Sequence, residues 1–106
     1  MGIALLNTSI VTEDGVYSLR TVSVVEAAGI IADCDIRSYV GHPATAQIMS
    51  TLLSVQVPVS RNLYAQQPGE TALVFKLNGR PEPGRELSRE ELEEIGFTFK
   101  VLHRVS

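Results

Sequence analysis

The chain has 106 residues, of which 44% are hydrophobic and 20% charged, and a formal net charge of −3. These values suit one globular domain on one core and exclude a disordered chain. The acidic balance also speaks against duplex DNA or an anionic membrane as partner, since both call for a broad basic surface; an anionic ligand would have to meet a local group of arginines.

Gly2 to Leu6 is a short apolar run that stops at Asn7-Thr8-Ser9, as a buried strand ending in a polar turn does. Glu13-Asp14-Gly15 signals a turn, and Val16 to Val22 then alternates like a half-buried strand. The two strands are expected to form a hairpin or to lie side by side. Ser23 and Glu26 make a capping box that opens a helix through Ala27, Ala28, Ile30 and Ile31 to Ala32. Gly29 weakens that helix by roughly 1 kcal/mol relative to alanine, so tertiary contact must hold it.

Ile36 to Val40 reads as the next strand and runs into Gly41-His42-Pro43. Proline suits the first position of a helix, where its missing N–H would have had no partner, so His42 falls at or beside the N-cap. The helix that follows carries Ile48, Met49, Leu52 and Leu53 at spacings that put them on one buried stripe. Pro58 ends helical structure, and Val59 to Tyr64 is expected to extend as a strand with Arg61 in it. Thr71 to Leu77 is a continuously apolar run, which suggests a central strand covered on both faces.

Arg80-Pro81-Glu82-Pro83-Gly84-Arg85 sets two prolines and a glycine among charges, and is expected to be a constrained loop. Ser88 and Glu91 form a second capping box for a short acidic helix ended by Gly96, after which Phe97, Phe99 and Val101 alternate as a last strand. The elements imply an α/β fold: residues 1–106 as a single domain, with a mixed central sheet of about five strands flanked by helices.

No apolar run approaches the roughly 20 residues of a membrane span, and no basic leader precedes a long apolar segment, so a cytoplasmic chain is expected. Cys34 stands alone and the two histidines are far apart, which gives no zinc spacing; neither a metal nor a cofactor is expected. Three polar clusters fall at element ends: Asn7 to Ser9, His42 to Thr45, and Arg80 to Arg85. If they converge, the available chemistry is anion binding with proton transfer, because arginine supplies fixed donors, histidine titrates, and a helix start attracts anions. His42 as a plain turn cap, Arg80 as a solvated loop residue and Arg61 as a brace of the fold are the competing readings. Tyr39 and Tyr64 read equally as core or as stacking surfaces, and His103 as surface or interface.

Leu5-Leu6-Asn7-Thr8-Ser9, Val40-Gly41-His42-Pro43-Ala44-Thr45-Ala46, Pro58-Val59-Ser60-Arg61 and the stretch from Leu77 to Ser88 resemble, in order, the motifs of the viral anti-CRISPR ring nucleases. That family has bacterial and archaeal relatives associated with type III CRISPR systems. The resemblance implies a two-fold homodimer that binds cyclic tetra-adenylate and cleaves it to linear di-adenylate without metal. It further implies that His42 is the general acid and that Arg80 steadies the scissile phosphate. Asn7, Ser9, Gly41 and Thr45 would touch the ligand. Many members place a glutamate three residues after the loop arginine, where this chain has Pro83; Glu82, one residue earlier, would have to substitute through a shifted loop. A two-fold axis suits such a ligand, since it presents each group twice to a ring of equivalent linkages. Two other functions fit the sequence: a sponge that binds the ring without cutting it, and a small dimeric regulator that binds protein or DNA.

Overall fold

The computed structural model describes residues 2–8, 11, 13–79 and 88–106. Strands β1 (Gly2–Leu6), β2 (Tyr17–Val22), β3 (Asp35–Ser38), β4 (Thr71–Leu77) and β5 (Phe97–Arg104) build one sheet in the order β2-β5-β4-β1-β3. β1 runs parallel to β3 and β4, whereas β5 is antiparallel to β4 and β2, so the sheet is mixed as expected. The apolar run of β4 takes the central position, with Ala72, Leu73, Val74 and Phe75 all buried.

The hairpin expectation for the first two strands is wrong. β2 lies at one edge against β5, separated from β1 by β5 and β4. Turn signals report only that the chain reverses; partner choice depends on contacts far apart in sequence. Here β2 satisfies its backbone along β5, from Tyr17 opposite Arg104 to Val22 opposite Phe99.

Helices α1 (Val24–Ala32), α2 (Pro43–Leu53) and α3 (Arg89–Ile95) begin where their caps lie. Ser23 accepts from the Glu26 N–H and Ser88 from the Glu91 N–H, and each glutamate reaches back to its cap, completing both capping boxes. The stripe Ile48, Met49, Leu52 and Leu53 is buried in α2, Ala27 and Ile31 in α1, and Leu92 in α3.

These residues form one core with Ile3, Leu5, Leu73, Phe75, Phe99 and Val101, which share a sheet face through the registers Leu5 to Leu73, Leu73 to Val101 and Phe75 to Phe99. The helices therefore cover one face and do not flank the sheet on both sides. The opposite face carries a smaller cluster, Ala4, Leu6, Ala72, Val74 and Leu102, and the partly buried hydrophobic residues packed against it, among the described residues, are tyrosines 17, 39 and 64.

Residues 56–67, expected to include a strand from Val59 to Tyr64, form no strand. Val59 is 47% exposed and Leu63 96% exposed, so the alternation there buries no face. The segment is held by discrete bonds instead: Ser60 N–H donates to Val40 O at 2.9 Å, and Val57 N–H to Ser50 Oγ at 2.9 Å.

Gly96 joins α3 to β5 at φ +88°, a conformation that side chains disfavour, and a Cβ there would lie 2.8 Å from Asn78 Nδ2. Gly96→Ala is expected to cost about 1–2 kcal/mol from the backbone alone; urea unfolding checks this, and an unchanged midpoint would contradict it.

Candidate functional site

β1, β3 and β4 are mutually parallel through β1, so their carboxyl ends deliver the following residues to one rim of the sheet. Ligands of open α/β sheets bind at that rim. Here Asn7 follows β1, Gly41 and His42 follow β3, and Asn78 follows β4. The β1/β3 pairing extends one bond past the strand, with Tyr39 N–H donating to Leu5 O at 3.0 Å, which fixes the approach to the His42 corner.

His42 is the N-cap of α2 and Pro43 its first residue, as the sequence predicts. The cap backbone is extended at φ −107° and ψ 122°, and its carbonyl accepts from the Ala46 N–H at 3.0 Å. The side chain makes no capping hydrogen bond and the residue is exposed. The imidazole is thus not consumed by the turn, and it stands beside the helix start, where free backbone donors and the helix dipole favour an anion.

A groove of about 690 Å³ opens next to it, lined by Asn7, Tyr39, Gly41, His42, Arg61, Asn62 and Tyr64 among others. Three elements supply this wall: the end of β1, the β3-to-α2 corner, and the irregular segment after Pro58. The Ser60 to Val40 bond brings that segment alongside the corner, and the Arg61 stem passes so close to Gly41 that a Cβ built there would stand 3.5 Å from Arg61 Cγ. Arg61 is exposed on the groove. The sequence leaves its role open; the structure puts Arg61 on the wall of the groove that His42 also lines.

Tyr39 and Tyr64 face each other with centroids 4.7 Å apart and planes tilted 46°. Both pack on the smaller core cluster while lining the groove, so they are at once core and wall. The Tyr64 hydroxyl is buried with no hydrogen-bond partner among the described residues. Burial, with the nearby Glu70 charge and Tyr39 adding to it, pushes its phenol up from 10.0 to about 12.

A raised acid pKa favours the neutral form in the folded state, so this contribution to stability is intact below about pH 10 and is lost as pH rises toward 12. Tyr64→Phe is therefore expected to lose less stability than wild type across that window, as read by unfolding at stepped pH. Equal losses would contradict this.

The other sequence-predicted residues are distributed as follows. Asn7, Gly41 and His42 converge on the groove. Thr45, half-buried in the first turn of α2, does not line it. Ser9, Arg80, Glu82 and Pro83 lie outside the described residues. His103 sits at the opposite end of the sheet, opposite Thr71 at the start of β4, and its Nδ1 is 2.9 Å from Thr71 Oγ1. Cys34 is half-buried and its thiol donates to Ile30 O. No helix among the described residues is long and apolar enough to cross a membrane.

The groove thus combines an exposed histidine, an arginine, two asparagines and two tyrosines. Such a set can hold an anion, pass a proton to it, and stack a planar base.

A family model described as STIV B116-like matches residues 3–99. Uncharacterized protein ORF117 of Acidianus two-tailed virus is 36% identical, over 95% of this chain and 92% of its own. Uncharacterized protein YddF of Bacillus subtilis (strain 168) is 29% identical over 99% of both. The structure of B116 of Sulfolobus turreted icosahedral virus superposes with a TM-score of 0.82 at 18% identity, covering 96% of this chain and 97% of that one, which shows a shared fold.

Proposed function

The chain belongs to the STIV B116-like family, and from that footing we propose that it is a metal-independent ring nuclease: a homodimer that binds cyclic tetra-adenylate and cleaves it to linear di-adenylate, switching off type III CRISPR signalling. The observation that carries the reading is the exposed His42 at the start of α2, its side chain unused by the cap, on one groove with Asn7, Arg61 and the Tyr39/Tyr64 pair.

RNA brings its own nucleophile, so the protein's task is alignment, charge stabilisation and protonation of the leaving group. The ribose 2′-oxygen attacks the adjacent phosphorus and gives up its proton to solvent; the P–O2′ bond forms as the P–O5′ bond breaks. The protonated His42 gives its proton to the departing 5′-oxygen, leaving a 2′,3′-cyclic phosphate and a free 5′-hydroxyl. Arg61 and the first-turn amides of α2 supply fixed donors for the charge that builds on the phosphoryl oxygens. Asn7 holds the nucleotide from the end of β1, and the tyrosine pair offers an aromatic face to a base. Arg80 and Glu82 enter only through the motif resemblance, as phosphate clamp and as partner to the imidazole. In a two-fold dimer the same groove acts twice, so that cutting opposite linkages of a four-membered ring yields two di-adenylates.

Protein treated with EDTA and mixed in stoichiometric amount with labelled cyclic tetra-adenylate is expected to yield linear di-adenylate. Recovery of intact ring from tight complexes would replace the enzyme with a sponge, and absence of binding would remove both.

A further inference from the structure

On the open face of the sheet, beyond Asn7, lies a second cavity of about 450 Å³ that the proposed chemistry does not use. Val74 forms part of its lining, and Lys76, Asn78, Thr98 and Lys100 stand around it. Asn7 lines both cavities, so the two are neighbours along the same rim.

The register explains why the lysines meet. Lys76 pairs with Thr98, and Val74 with Lys100, so Lys76 and Lys100 are diagonal neighbours on one face of β4 and β5. Such positions stand roughly 7–8 Å apart, within reach of each other for long side chains, and like charges so placed destabilise a sheet. Thr21, not an acid, is the residue on β2 opposite Lys100. Neither lysine has an ion-pair partner among the described residues, and none of the described residues lining the cavity is acidic. In a chain with twelve acids and nine lysines and arginines, two unneutralised ammonium groups flanked by Asn and Thr side chains form a setting for an anion with several acceptor oxygens.

We propose that Lys76 and Lys100 form a phosphate-binding shelf continuous with the His42 groove, taking a second phosphodiester of the ribonucleotide whose neighbouring linkage lies against His42. That the phosphate belongs to the groove's own ligand rests on the ring-nuclease reading; that the shelf takes phosphate does not.

The test compares wild type with the double variant Lys76→Gln/Lys100→Gln, both lysines being surface residues whose replacement leaves the core untouched. Affinity for cyclic tetra-adenylate is expected to fall at least about tenfold in the double variant, with a shallower dependence on salt, and to be largely restored by Lys76→Arg/Lys100→Arg. Equal affinity in wild type and the glutamine variant would overturn the shelf while leaving the groove reading intact. If wild type binds no ring, inorganic pyrophosphate decides the matter. Amide shifts at Lys76, Thr98 and Lys100 that vanish in the glutamine variant would uphold the shelf although the ring reading falls, and unmoved amides would sink it too.

Discussion

Replacing His42 by alanine is expected to slow cleavage of the ring by about 10²–10⁴-fold, the usual worth of a positioned general acid. Affinity should change little, because Arg61, Asn7 and the tyrosine pair would still line the groove. Stability should stay within about 0.5 kcal/mol of wild type, since the His42 side chain makes no capping bond whose loss would be felt. The three measurements together separate chemistry from folding. A variant that binds, folds and does not cut identifies the imidazole as the proton donor, whereas equal turnover would move the reaction elsewhere.

The second large effect concerns a residue far from the chemistry. Arg104 ends β5 and is only 6% exposed. Its guanidinium donates to Gln66 O, to Asp14 O at 3.3 Å and to Glu13 Oε2 at 3.3 Å, while its Nε–H donates to Ser106 O at 3.2 Å. It also lies 5.6 Å from the centroid of the Tyr17 ring. Gln66 is buried beside it and donates to both Glu70 O and Leu102 O. Arg104 thereby ties the turn before β2 to the far end of the segment that carries Arg61 and Tyr64.

Arg104→Ala leaves the Gln66 carbonyl, in a buried bond, and the Asp14 carbonyl, in a half-buried one, without this donor, and should cost about 2–4 kcal/mol. At roughly 4–8 °C per kcal/mol for a domain of this size, the thermal midpoint falls visibly. Arg104→Lys keeps the charge but not the planar fork that reaches several carbonyls at once, so it should recover only part of the loss. A midpoint unchanged in Arg104→Ala would show that the network contributes nothing net.

Local features of the fold are legible in the sequence. Both capping boxes, the Pro43 helix start, the buried stripe of α2 and the central place of Thr71–Leu77 depend on neighbours a few residues apart, and all are observed. Features set by distant partners are not. The hairpin expectation failed because β2 finds its backbone partner in β5, some eighty residues on, from Tyr17 to Arg104. The strand expected at Val59 to Tyr64 failed because alternation stabilises a strand only where a sheet edge receives it, and Ser60 makes a single bond to Val40 instead.

The candidate site divides the same way. His42, Gly41 and Asn7 stood out because each ends an apolar run, and the parallel strands do bring them together. Arg61 is named by its motif but not given a role, since nothing near it in sequence reports its approach to Gly41, and the lysine pair does not stand out at all, because only the β4/β5 register sets Lys76 beside Lys100. Arg104, at the end of an apparently ordinary strand, carried no sign of its burial at all.

The measurement that bears most directly on the central claim is cleavage of a ring in which the scissile 5′-bridging oxygens are replaced by sulfur. A thiolate departs without being protonated, so a lost proton donor no longer matters. His42→Ala should then cut the sulfur ring at nearly the wild-type rate while remaining slow on the oxygen ring. Equal impairment on both rings would contradict the assignment of His42 as general acid.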